Sequence, residues 1–145
     1  MIVLVSVLMK AEGNGTGAPQ SACTSFIPTG HHDLFGAAEA PNQGPAFVLE
    51  ARRTGNEIAV QLKGLGGNTF KGYMIQATNA GGHFTNTKTI DCDGLDDTAT
   101  HRDPSPKQSV LLKWTSGSLP ASPVTFRATV VINKVTYVSN LSATA

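Results

Sequence analysis

The sequence is poor in charge, in aromatic rings and in long apolar runs. Charged residues make up 14% and aromatic residues 6% of the 145-residue chain, and the net charge is +1. With no global field to recruit nucleic acid or membrane, nucleic acid is not an expected partner. No segment approaches the roughly 20 consecutive apolar residues of a membrane-spanning helix, so no membrane span is expected. Neither G-x-S-x-G nor H-E-x-x-H occurs. Gly64-Leu65-Gly66-Gly67 lacks both the spacing and the following Lys-Ser/Thr of a phosphate loop. The chain is therefore expected to bind rather than to catalyse, and to need no cofactor.

Cysteine is scarce but even: Cys23 and Cys92 are the whole supply. In an exported chain that count favours one disulfide, with a single pairing available. Two buried free thiols would instead suit a reducing compartment. Export is supported by the start of the chain. MIVLVSVLM is almost purely apolar, and small and polar residues follow, with a plausible cleavage point near Ala11. Residues 1–16 read as a partial signal peptide and leader, without the usual basic start; an N-terminal strand is the alternative. Asn14-Gly15-Thr16 and Asn140-Leu141-Ser142 fit the glycosylation tripeptide, making Asn14 and Asn140 candidate acceptors. The expected location is secreted and extracellular.

What is abundant is Thr, Ser, Gly, Asn and Val, which suit strands and tight turns. Residues 12–46 carry no sustained period and read as an ordered loop pinned at Cys23. Short alternating runs then begin. Phe47–Ala51 is followed by a turn at Arg53-Thr54-Gly55-Asn56. Glu57–Lys63 places Ile58, Val60 and Leu62 on one face. Phe70–Thr78 groups Tyr73, Ile75 and Ala77, and a shorter strand surrounds Phe84. Lys107–Trp114 puts Val110, Leu112 and Trp114 in phase, so Trp114 reads as core rather than as a ligand platform. Val124–Asn133 sets Val124, Phe126, Ala128, Val130 and Ile132 against Thr125, Arg127, Thr129 and Asn133, and Val135–Leu141 closes the chain. The expected fold is all-β. It is a single antiparallel, immunoglobulin-like β-sandwich of about seven or eight strands, preceded by an ordered loop segment.

Several blocks recur in a familiar order: Gly17-Ala18-Pro19, Ser21-Ala22-Cys23, Phe70-Lys71-Gly72-Tyr73-Met74-Ile75-Gln76-Ala77, Gly82-His83-Phe84, Cys92, Thr100-His101, Lys107 to Trp114 and Val124 to Val131. Together they resemble the reeler domain, the N-terminal module of reelin and F-spondin, over roughly residues 17–141. Residues 17–145 then form one such domain. The resemblance implies an extracellular β-sandwich with Cys23 bonded to Cys92. It also implies kinship with the stand-alone, noduler-like defence proteins of insects and other invertebrates. Those are associated with microbial surface polysaccharide and lipid (lipopolysaccharide, teichoic acid, glucan) and with haemocyte aggregation. The alternative is an adhesion module of the extracellular matrix that binds glycosaminoglycan, a heparin-like glycan, or protein. Two departures stand out: an extra residue in Pro28-Thr29-Gly30-His31-His32, and Tyr137-Val138 where an aromatic pair is common.

Candidate sites are few. His31-His32-Asp33 does not make a metal corner, because adjacent side chains rarely converge on one ion. In the calcium-loop register from Asp91, the glycine position holds Asp96 and the bidentate Glu position holds Arg102, so that register fails. No metal site is expected, with an irregular calcium site in the Asp91–Asp97 loop as the alternative. Asp91 to Asp103 reads as a solvated acidic loop, and the bases after it (Lys107, Lys113, Arg127, Lys134) as a basic side. Ligand contacts are expected from Arg52, Arg53, Lys71, His101, Lys107 and Lys113, with Arg52 and Arg53 splaying outward from a turn. For His101 the favoured reading is a structural histidine bonded to nearby backbone. An anionic polymer is expected on this surface rather than in a deep pocket.

Overall fold

In a computed structural model, residues 13–27, 38–39, 46–133 and 136–145 are described. Two 3-10 turns, Gly13–Thr16 and Gln20–Cys23, open the described chain. Ten strands follow: β1 Ala38–Glu39, β2 Phe47–Thr54, β3 Glu57–Gly64, β4 Gly72–Ala77, β5 His83–Phe84, β6 Lys88–Ile90, β7 Thr98–Thr100, β8 Ser109–Thr115, β9 Thr125–Asn133 and β10 Thr136–Thr144. They form a six-stranded sheet, β1-β10-β9-β4-β7-β6, and a four-stranded sheet, β2-β3-β8-β5. Every pairing is antiparallel except β1 with β10. The all-β, two-sheet expectation holds. The strand number exceeds it because β1, β5, β6 and β7 are only two or three residues long.

The alternating positions meet between the sheets. Ile58, Val60, Leu62, Leu112 and Trp114 of one sheet pack on Tyr73, Ile75, Phe126, Ala128 and Val130 of the other. Trp114 is fully buried and edge-on to Phe126, with ring centroids 5.4 Å apart. Val124 and Ala145 exchange two backbone hydrogen bonds, which fixes the chain end to the start of β9.

The outer face of the six-stranded sheet is also buried, and the alternation of β9 alone does not predict this. Residues 17–27 lie across it. Ala22 and Phe26 cover Met74 in a second apolar cluster, and Thr129 and Val131 are buried as well. Thr129 Oγ1 donates to the Phe26 carbonyl at 2.5 Å, and the Ala18 N–H donates to Thr100 Oγ1 at 2.8 Å. Cys23 is bonded to Cys92, with a Cα–Cα distance of 5.3 Å, and anchors this cover to the sheet. Phe26 takes φ +59, a left-handed conformation rare for a bulky residue, and Arg127 stacks 3.9 Å from its ring centre.

Two charge expectations are corrected. Asp91–Asp103 is not one solvated loop: β7 runs through it fully buried, between β4 and β6. Nor do the later bases share one side. Lys107 folds back on Asp103, Arg127 lies under the N-terminal cover, and Lys113 stands on the opposite sheet. Alternation and sheet assignment disperse what the linear order groups together. The apolar start, His31-His32-Asp33 and Lys134 lie outside the described residues.

Candidate functional site

The pleat of β2 separates the adjacent arginines. Phe47, Leu49 and Ala51 point inward, so Arg52 points to the outer face of the four-stranded sheet and Arg53 does not. At the strand end, an Arg53 guanidinium nitrogen donates to the carbonyls of Ser122 at 2.9 Å and Ala145 at 3.5 Å. Arg53 therefore ties the C-terminal residue to the body of the fold. The expectation that both arginines splay outward together is corrected for this one.

Arg52 has different company. It lies opposite Ala59 on β3, and Ala59 lies opposite Lys113 on β8. Two strand spacings put the roots of Arg52 and Lys113 roughly 10 Å apart, with a small side chain between them. Both are exposed, and neither makes an ion pair among the described residues. The next row is Glu50, Gln61 and Leu111. Its one carboxylate is engaged by Lys63 at 2.7 Å, and Leu111 is 58% exposed. The face thus offers two cations without ion pairs among the described residues, flanked on one side by a neutralised row with one apolar side chain and on the other by Glu57.

The remaining candidates stand elsewhere. The Lys107 ammonium donates to the carbonyls of Lys71, Asp103 and Ser105 at 2.8–3.1 Å and pairs with the Asp103 carboxylate at 3.6 Å, so it is enclosed by its own loop. Hydrogen bonds from the Ser105 hydroxyl and N–H, with Lys107 adjacent, hold the Asp103 carboxyl below the usual carboxylate range. Lys71 is exposed beside that loop. His101 is buried, and its Nδ1 accepts the Tyr73 N–H at 3.1 Å, the structural role weighed above. Its ring also explains the glycine of the Phe70–Ala77 block: a Cβ on Gly72 would stand 2.6 Å from His101 Cε1. Asn140 is exposed, at a bulge in β10 with φ +61, and Asn14 lies in the first 3-10 turn.

Sequence reasoning missed a polar network on the six-stranded sheet. Gln76 Nε2 donates to Asp93 at 2.8 Å and Asp97 at 3.1 Å, while its Oε1 accepts from Arg127 at 3.3 Å. Asp97 also accepts the Cys92 and Asp93 N–H groups at 2.8 and 2.9 Å and the Thr98 hydroxyl at 3.1 Å. One available signal was Gln76 itself, in phase with the buried Met74. Among the described residues no cluster of three or more ligating side chains is arranged for a metal ion.

Burial pushes the Asp97 carboxyl upward, but the four donors outweigh it and hold the group below its ordinary value. Its proton is then bound more weakly in the folded chain than in the unfolded one. That stability is present above the ordinary carboxylate range and is lost as pH falls through the folded value. Asp97→Ala is expected to lower stability by about 2 kcal/mol at neutral pH and to flatten the fall of stability below about pH 4. Urea midpoints of both proteins at neutral and acid pH check this; parallel curves would remove Asp97 from the account.

Known proteins share this architecture. The Reeler domain profile matches residues 21–144. "Defense protein l(2)34Fc" of Drosophila melanogaster is 30% identical over 146 residues, covering 90% of this chain and 87% of that protein. "Putative ferric-chelate reductase 1" of Danio rerio is 31% identical over 130 residues, covering 80% of this chain; the match spans only 22% of that longer protein. The human F-spondin reeler domain matches in fold, with a TM-score of 0.54 at 16% identity over 76% of this chain and 93% of that one. With its matched length, its cover bonded through Cys23 and Cys92, and its two-sheet core, the chain belongs to the Reeler domain family.

Proposed function

We propose that the chain is a secreted defence protein that recognises anionic polymers of microbial surfaces, such as lipopolysaccharide or teichoic acid, through the outer face of the four-stranded sheet. The observation that carries this reading is the row Arg52–Ala59–Lys113, two exposed cations with no carboxylate between them. The relative named a defence protein, matched over 87% of its length, supports the biological setting. A disulfide supports an oxidising compartment. Clustering of haemocytes around coated particles belongs to the same reading. No catalytic step is assigned to the chain. The whole-protein activity named for the ferric-chelate reductase relative is not carried over, since the shared segment is 22% of that protein.

Exposed ion contacts are individually weak and salt-screened, so useful affinity comes from repeats along a polymer or across a cell surface. The Arg52→Ala/Lys113→Ala double variant is expected to bind immobilised lipopolysaccharide roughly tenfold more weakly, the equivalent of about 1.4 kcal/mol. Its thermal midpoint should stay unchanged, because both side chains are solvent-facing. Arg53→Ala is expected to behave oppositely, with binding kept and stability reduced by about 1 kcal/mol through the lost carbonyl contacts. Surface plasmon resonance with parallel thermal melts separates the two. A double variant that binds like the parent would sink the proposed surface.

A further inference from the structure

A cleft of about 350 Å3 opens between the β4–β5 turn and the 91–97 loop, lined by Gln76, Asn79, Gly81, Gly82, Asp93 and Gly94 among others. Its size falls at the small end of the range for ligand sites, about 300–1,000 Å3. Its walls are fixed before any ligand arrives. Asn79 Oδ1 accepts the Thr125 N–H at 2.8 Å, and its Nδ2 donates to the Pro123 carbonyl at 3.0 Å. Gln76 is held by Asp93 and Asp97 at one end and by Arg127 at the other. The space in front of two glycines is empty: a Cβ on Gly81 or Gly94 would meet nothing within 4 Å. Behind Gly82 lies the indole of Trp114. A Cβ there would collide with Cζ2 and stand 2.6 Å from Cε2, the carbon that carries Nε1. That Nε1 is buried and has no hydrogen-bond partner, on a residue that is fully buried.

We propose that this cleft is a subsite for an uncharged, hydroxyl-rich ring, one neutral sugar unit of a polysaccharide. No lysine or arginine lines it, and Asp93 and Asp97 oppose an anion there. A free cation is also poorly served. Both Asp97 oxygens already accept hydrogen bonds, and the Arg127 guanidinium sits on the far end of Gln76. Hydroxyl groups both donate and accept. They match the Asp93 carboxylate on one side and the backbone of Gly81 and Gly82 on the other. The proposal rests on the reading of the chain as a recogniser of surface polymers, but it uses neither Arg52 nor Lys113.

Trp114 is the sole tryptophan and packs behind Gly82 of the cleft wall, so its emission serves as the probe. Titration of the intact chain with laminaritriose, a neutral glucose trimer, is expected to give a saturable change in emission whose midpoint does not move with salt. Gly94→Leu fills the open space from an exposed loop and should weaken that binding roughly tenfold or more, with the thermal midpoint retained. Gly81→Leu should do the same from the opposite side, which keeps the test alive if one variant folds poorly. Arg52→Ala/Lys113→Ala should leave it unchanged. A salt-insensitive response lost in the glycine variants supports the cleft even if lipopolysaccharide binding fails. No saturable response, glycine variants that bind like the parent, or tighter binding of the cation spermidine than of the trimer would each overturn it.

Discussion

Joint replacement of Cys23 and Cys92 by Ala is expected to lower the stability of the fold by about 4 kcal/mol. The bond joins positions 69 residues apart, and in the chain-entropy view closing a loop of that length restricts the unfolded ensemble by about that amount. The native state loses something more local. Segment 17–27 covers Met74, Thr129 and Val131, and its remaining attachments are a few hydrogen bonds and the Arg127–Phe26 stack. Without the bond, this cover should open more readily than the inter-sheet core. Amide exchange at Ala18 and Phe26 should therefore accelerate more than exchange at Ile75. Guanidinium denaturation measures the global loss, and thiol titration of the denatured, unreduced parent should find no free thiol. A variant within about 1 kcal/mol of the parent would mean that the cover is held by its contacts alone.

Trp114→Ala is expected to be comparably damaging, at about 3–5 kcal/mol. The ring is fully buried, lies opposite Ile58 and Phe84 in register, and meets Phe126 at 88°. Its removal leaves a hole between the sheets that Gly82 cannot fill. Trp114→Phe should be far milder, under about 1.5 kcal/mol, because the lost area is partly offset by removal of a buried N–H without a partner. Urea unfolding of the two variants gives the comparison. Equal losses, or a tolerated alanine, would show that Trp114 is not the centre of the core.

These two positions also mark what the sequence makes legible. Trp114 stands in phase with Val110 and Leu112, and Ile58, Val60 and Leu62 alternate cleanly, so inward faces follow from period alone. Cysteine parity and a single available pairing make the disulfide legible too. Of the short strands, only the one around Phe84 is. Thr98-Ala99-Thr100 has little apolar character and sits among aspartates; it is a strand because β4 and β6 flank it. Thr129 and Val131 lie on the face of β9 that alternation assigns to solvent, and only the returning N-terminal segment buries them. The candidate site is less legible still. Arg52 and Lys113 are far apart in sequence, and their row exists only through the register of β3 with both neighbours. Lys107 looks like any surface base until three carbonyls enclose its ammonium. Residue type names the candidates, and tertiary register selects among them.

The salt dependence of binding shows whether the Arg52–Ala59–Lys113 row holds an anionic polymer. Affinity for immobilised lipopolysaccharide would be measured over a range of sodium chloride concentrations for the parent, Arg52→Ala/Lys113→Ala and the charge reversal Arg52→Glu/Lys113→Glu. Parent affinity is expected to fall steeply as salt screens the row over distances of about 10 Å at 0.1 M. The alanine pair should show a shallower slope and the reversal no measurable binding, with all three proteins equally folded. Salt-insensitive parent binding, or a reversal that binds like the parent, would contradict this reading.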